Sequence, residues 1–219
     1  MAFYTTDSLT FSYPRSETII ENINLNVEKH QRLGLIGPNG CGKTTLFKLL
    51  MGILKPYKGE ICIEGNNIKN MSLGEIGGKV GFIFQNPNRQ LFAPTVLEQM
   101  TFSYKFGNNT IEDETEEAAN YYLRLFDLYD YREYSPFNLS LGQKQRLAIA
   151  SVLMRDVDFL IMDEPNTALD ILRLKNLEQC LKSLKDEGKG YIIISHNKKF
   201  LSKQVDGLLG FKGKGVEFI

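Results

Sequence analysis

The sequence predicts an α/β fold: a mostly parallel sheet, a small antiparallel β subdomain at the N-terminus, and an inserted α-helical subdomain. Three observations lead there. An apolar run that ends in glycine, QRLGLIG at 31–37, precedes a helix-like stretch, KTTLFKLLMGI at 43–53. That order is strand, Gly-rich loop, helix. Between about 86 and 156 the pattern is mostly helical, closing on LGQKQRLAIASVLMR. Strands return at VDFLIMD (157–163) and YIIIS (191–195), with a helix-like segment over about 168–187 between them, the rhythm of a βαβ unit.

The remaining elements follow in chain order. Residues 1–30 read as short strands with turns: SLTFSY alternates, YPRSET breaks, and IIENINLNVEK resumes with apolar residues at about every second position. A second small β segment is expected at GEICIEGNNI (59–68) and a further strand at KVGFIF (79–84), before the character changes at QNPNRQ. The acidic run at 112–117 is read as a solvated helix start. The whole chain forms one domain in this reading, with 1–85 and 157–219 as the core and its β subdomain, and 86–156 as the helical subdomain.

Composition narrows the function classes. The chain has 219 residues, with 26 Lys+Arg against 26 Asp+Glu, so no net charge draws it toward nucleic acid or an anionic membrane surface. Three separated cysteines, Cys41, Cys62 and Cys180, lack zinc-site spacing and read as reduced thiols of a cytosolic protein. No apolar run approaches the roughly 18 residues that span a bilayer. Service to a membrane would therefore go through a partner.

GPNGCGKT, Gly37 to Thr44, satisfies G-x-x-x-x-G-K-[ST]. Small residues at that spacing let successive backbone N–H groups wrap phosphates at the positive end of the following helix. Lysine then reaches the β- and γ-phosphates, and the Thr hydroxyl binds magnesium. A chance match in a chain of this length is roughly a one-in-a-hundred event at ordinary glycine frequencies, so the loop is taken as a phosphate site.

FLIMDEP (159–165) is an apolar strand ending in Asp163 and Glu164. Ligands bind at the carboxyl ends of parallel strands, where an aspartate can hold magnesium through water and the next acid can face an attacking water. His196 follows the YIIIS strand at the same expected edge. The other histidine, His30, receives no role.

Taken together these residues resemble the ATP-binding subunit of an ATP-binding cassette (ABC) transporter, over nearly the whole chain. GPNGCGKTT resembles the Walker A loop, Gln85 in FIFQNP the Q-loop, and LSLGQKQR the signature. FLIMDEP is similar to Walker B with its catalytic glutamate, NTALD to the D-loop, and His196 to the switch histidine. The resemblance implies a P-loop NTPase core of RecA-like type. VGFIFQNPNRQLFAPTVLEQMTF (80–102) is similar to energy-coupling-factor ATPases, which drive uptake of vitamins and of cobalt or nickel ions. Those subunits usually carry a further C-terminal dimerisation segment, which is not expected in a chain running only to Ile219.

The resemblance implies ATP and Mg2+ as cofactors and a second ATPase subunit, identical or not, meeting this one head to tail. Tyr13 would stack on adenine; Asn39, Gly40, Cys41, Gly42, Lys43, Thr44 and Thr45 would hold the phosphates. Thr44, Gln85 and Asp163 would organise the metal. Catalysis would fall to Glu164, His196 and Lys43, while Ser140, Gly142 and Gln143 would complete the ATP site of the opposite subunit. Integral membrane transporter subunits are the further partners implied, with the protein cytoplasmic and peripheral on the inner face of the cell membrane. No nucleic acid is expected. Two alternatives stay open: a soluble ABC ATPase acting on DNA or ribosomes, and a non-hydrolysing regulatory cassette.

Leu141 stands where the family's LSGGQ phrase has its first glycine. With Ser140 and Gly142 intact, LSLGQ reads as a working signature in which Leu141 turns from the nucleotide and could pack under the helix. A weakened half-site in an unequal pair is the other possibility.

Overall fold

The computed structural model describes residues 2–105 and 112–219, and the side chains of 103–105, 112 and 113 lie outside the description. Two units divide it: one built from residues up to Phe82 with Asp158–Asp163 and Leu184–Ile219, the other from Ile83–Val157 and Glu164–Ser183.

The first unit holds two sheets. One is wholly antiparallel, in the order β2-β1-β4-β5, from β1 (Ala2–Ser12), β2 (Thr18–Glu28), β4 (Lys58–Ile63) and β5 (Asn66–Asn67). The other runs β10-β9-β3-β8-β7-β6 and contains β3 (Arg32–Ile36), β6 (Val80–Ile83), β7 (Phe159–Asp163), β8 (Gly190–Ile194), β9 (Gly207–Lys212) and β10 (Gly215–Phe218). The pairs β3–β8, β3–β9 and β7–β8 are parallel, and β9–β10 is antiparallel. Every residue of β7 and β8 is buried, which is why FLIMD and YIII read as continuous apolar runs with no alternation. Phe3 of β1 stacks on Phe159 of β7 at 4.9 Å between ring centroids. Tyr4 donates its hydroxyl to the Leu50 carbonyl at 3.2 Å, so the antiparallel sheet is tied into the core by aromatic packing and a satisfied buried hydroxyl.

The fold class expected from the sequence is found, with differences in detail. β1 and β2 are two eleven-residue strands where short ones were expected. Their register shifts near Ser8 and Asn22, which take positive φ (48° and 51°), and such bulges interrupt the alternation that reveals a strand. The helix α2 (Leu73–Lys79) was not anticipated. Its glycines (Gly74, Gly77, Gly78) disguise it, although Ser72 and Glu75 form a capping box at its start that spells the boundary in the sequence. The hairpin β9–β10 and α7 (Lys198–Gln204) were likewise unread.

The second unit contains α3 (Val96–Lys105), α4 (Glu112–Leu125), α5 (Leu141–Leu153) and most of α6 (Ile171–Asp186), with three short 3-10 turns. The helical reading of 86–156 included 106–111, which lie outside the described residues. In the acidic run, Glu114, Glu116 and Glu117 are exposed at the start of α4. None of the described helices is long and apolar enough to cross a membrane.

Candidate nucleotide site

The loop after β3 is shaped by backbone geometry. Gly40 and Gly42 take positive φ (78° and 109°), a region that residues with a Cβ avoid. Nothing lies within 4 Å of a Cβ added at Gly40, so that side of the loop is open. Gly42 is the N-cap of α1 (Lys43–Leu50), and the free N–H groups of the helix start face the same loop. Lys43 is 9 % exposed, and its ammonium donates to the carbonyls of Gly37 (2.9 Å) and Pro38 (2.8 Å). The loop's own oxygens thus hold the cation against the loop. Cys41 is a free thiol with its sulfur 4.0 Å from the Lys43 ammonium.

Two further contacts join the loop helix to distant strands. Thr44 Oγ1 donates to Asp163 Oδ2 at 2.6 Å across 119 residues of sequence, and the Thr45 and Tyr13 hydroxyls lie 3.3 Å apart. Tyr13 is edge-on to Phe11 at 4.9 Å, which orients its ring beside the loop. Register carries the rest: Leu35 of β3 and Asp163 of β7 both pair with Ile194 of β8. Gly37, Asp163 and His196 therefore leave the sheet at one edge. His196 is exposed and lines, with Lys43, Ser195, Gly37 and Leu201, a cavity of about 580 Å³. Asn197 then caps α7 by accepting from the Phe200 amide at 3.0 Å.

Asp163 is 2 % exposed. Burial lifts its carboxyl above the ordinary range, opposed by the Thr44 hydrogen bond and by Lys43 and Lys48. A hydroxyl and a buried carboxylate at bonding distance form a hard oxygen set that suits Mg2+, which keeps several waters and takes its other ligands from phosphates. Among the described residues no group of three or more His, Cys, Asp or Glu could hold a metal unaided. The sign of the Asp163 shift predicts a stability change. A raised folded-state pKa gives full stability below the unfolded value, and that contribution is lost as pH rises through the folded one. Asp163→Asn is therefore expected to raise the melting temperature of the nucleotide-free protein by a few degrees at neutral pH while removing the further rise on adding MgATP, read by thermal denaturation. A lower melting temperature would show that the carboxylate is not held at a cost.

The remaining expected site residues belong to the second unit. Glu164, directly after Asp163, is 6 % exposed and takes φ 53°; its carbonyl accepts from the Thr167 amide at 3.1 Å. Gln85 is exposed just after β6. Ser140 is the N-cap of α5 in a capping box with Gln143: its hydroxyl accepts from the Gln143 amide (3.3 Å), and its own amide donates to Gln143 Oε1 (2.8 Å). A Cβ on Gly142 would come 3.3 Å from the Ala168 carbonyl oxygen. Leu141 is 59 % exposed. It does not pack under the helix, because position N1 of α5 points it to solvent. Sequence reading passed over Asp127, Arg146 and Arg173, which meet in an ion-pair cluster; no local spacing signals a contact among residues so far apart.

A Gly-rich loop opening a helix, a buried aspartate bonded to the loop threonine, and a histidine at the same sheet edge define a P-loop ATPase that uses ATP and Mg2+. The family model described as ABC transporter matches residues 20–167, and the chain belongs to that family. It is 39 % identical over 197 residues to the energy-coupling factor transporter ATP-binding protein EcfA of Methanothermobacter thermautotrophicus, covering 89 % of this chain and 63 % of that protein. Among solved structures it is similar to the ATP-binding cassette MJ0796, a dimer in a post-hydrolysis state bound to ADP and Pi (TM-score 0.87, 26 % identity, 98 % of this chain and 96 % of that one). It is also similar to CbiO1 from Clostridium perfringens, part of the ABC transporter complex cbiONQ (TM-score 0.80, 28 % identity, 99 % and 87 %).

Proposed function

We propose that this ABC ATPase energises a membrane importer of a vitamin or a transition-metal ion, by ATP-driven closure of a dimer. The observation that carries the nucleotide half is the Thr44–Asp163 contact at 2.6 Å beside Lys43. The importer half rests on the likeness to EcfA and to CbiO1 of cbiONQ.

In this reading Tyr13 stacks on the adenine. Asn39, Gly40, Cys41, Gly42, Lys43, Thr44 and Thr45 hold the phosphates. Thr44, Gln85 and Asp163 would hold Mg2+, which would supply neutralisation of phosphate charge. Glu164 orients or deprotonates the attacking water, and His196 contacts the γ-phosphate with Lys43, so catalysis is positioning plus charge stabilisation. Ser140, Gly142 and Gln143 serve the ATP of the second subunit. Gln85 stands at the head of the second unit, so a γ-phosphate signal there could reach the surface that grips a membrane partner. That partner places the protein at the inner face of the membrane.

Affinity purification of the tagged chain from solubilised membranes tests the reading. Recovery of an integral membrane protein together with an ATPase subunit, identical or different, is expected. Recovery of ribosomes or DNA with no membrane protein would overturn it in favour of a cassette acting outside transport.

A further inference from the structure

Asp127 sits just past α4 in the left-handed backbone region, with φ 55°. The amide of Leu128 bonds to the Leu123 carbonyl (2.7 Å) and that of Asp127 to the Arg124 carbonyl (3.1 Å), the hydrogen-bond pair of a helix stop whose left-handed position favours glycine. Aspartate takes this conformation more readily than most side chains, but still at more cost than glycine. What the side chain adds is an ion-pair bridge. Asp127 Oδ2 accepts from Arg146 Nη1 at 3.2 Å and from the Arg173 guanidinium.

The two arginines stand on the elements that flank the proposed second-subunit site. Arg146 lies one turn beyond Gly142 on α5 and also donates to the carbonyls of Phe126 (2.6 Å) and Asp127 (3.1 Å). Arg173 opens α6, its amide donating at 2.9 Å to Asp170, the last residue of NTALD. The same elements approach again where Gly142 faces the Ala168 carbonyl. Both guanidiniums are mostly buried, at 14 % and 20 % side-chain exposure, whereas the Asp127 carboxylate is 66 % exposed. Without the carboxylate the two mostly buried guanidiniums still keep the Phe126 and Asp127 carbonyls and the Asp170 carboxylate as partners, so stability alone does not account for an aspartate at a glycine-type position.

We propose that Asp127 is a positioning residue for ATP hydrolysis: holding Arg146 and Arg173 through one carboxylate oxygen, it locks the signature end of α5 to the NTALD turn. The two then meet the second subunit as one piece. This rests on the placement of Ser140 and Gly142 against that subunit's ATP.

The test is steady-state ATPase kinetics and thermal melting of the purified full chain. Asp127→Gly is expected to melt at or above the wild-type temperature, because strain is relieved, with KM for ATP within about twofold and kcat about tenfold lower. Combined with Arg173→Gln, the loss should not exceed that of the slower single variant. A lower melting temperature with unchanged kcat, or additive losses, would overturn the proposal. If Asp127→Gly failed to fold, Asp127→Asn tolerates the same backbone and keeps an uncharged acceptor; a kcat several-fold lower is expected, and wild-type kcat refutes the role. Gly142→Asp separates the two levels. Full activity there removes the underlying placement and this role with it, while loss there beside a fully active Asp127→Gly removes only the role of Asp127.

Discussion

Glu164→Gln is expected to lower kcat by about 10²–10⁴-fold while leaving ATP binding intact, so that an ATP-bound dimer accumulates. Glutamine keeps the volume and one acceptor oxygen of a side chain that is 6 % exposed, so packing is preserved and the change is confined to the missing base. The left-handed φ of 53° at Glu164 belongs to the turn that follows β7, and a non-glycine residue holds such a conformation only when its surroundings demand it. The adjacent Asp163 is hydrogen-bonded to Thr44 and so belongs to the proposed metal-holding pair. The two acids therefore predict opposite signatures: Asp163→Asn loses stabilisation by MgATP, whereas Glu164→Gln retains it and gains a long-lived dimer. Size-exclusion chromatography with and without ATP, beside phosphate-release kinetics, reads both. Unchanged hydrolysis by Glu164→Gln would refute its assignment, and a monomer at saturating MgATP would refute dimer closure.

What the sequence discloses about this chain depends on how local the physics is. The Gly37–Thr44 loop is legible because its conformation, helix start and lysine are consecutive residues. β7 and β8 are legible because burial on both faces leaves an unbroken apolar run. β1 and β2 are partly hidden by bulges at Ser8 and Asn22, and α2 by three glycines whose low helix propensity outweighs the visible Ser72–Glu75 box. The candidate site divides in the same way. Each motif can be found alone, but the Thr44–Asp163 contact spans 119 residues and comes only from the parallel register. Asp127 is further still from legibility: its helix stop lacks the glycine that commonly marks one, and its two arginines lie 19 and 46 residues away in sequence.

Gly142→Asp is expected to abolish ATPase activity, whereas Leu141→Gly is expected to change it modestly. Both residues open α5, yet their surroundings differ. Gly142 lies where a Cβ would already stand 3.3 Å from the Ala168 carbonyl oxygen, closer than most such contacts, so a side chain there must push the NTALD turn or the helix start. Aspartate adds a negative charge beside that carbonyl and toward the proposed γ-phosphate, and the two like charges repel. Leu141 is 59 % exposed and presses on nothing that its removal would collapse. Glycine at this first helical position costs only a fraction of a kcal/mol to about 1 kcal/mol of helix stability, against which the Ser140–Gln143 capping box still holds the terminus. The capping box supports reading LSLGQ as a working signature with leucine in its middle. Ser140 and Gln143 satisfy each other through side chain and backbone, and the residue between Ser140 and Gly142 contributes only its amide to that geometry. Measured kcat for the two variants decides the matter: a large gain in Leu141→Gly would mean that the exposed leucine damps the site from the subunit interface, the mark of one weakened half-site in an unequal pair.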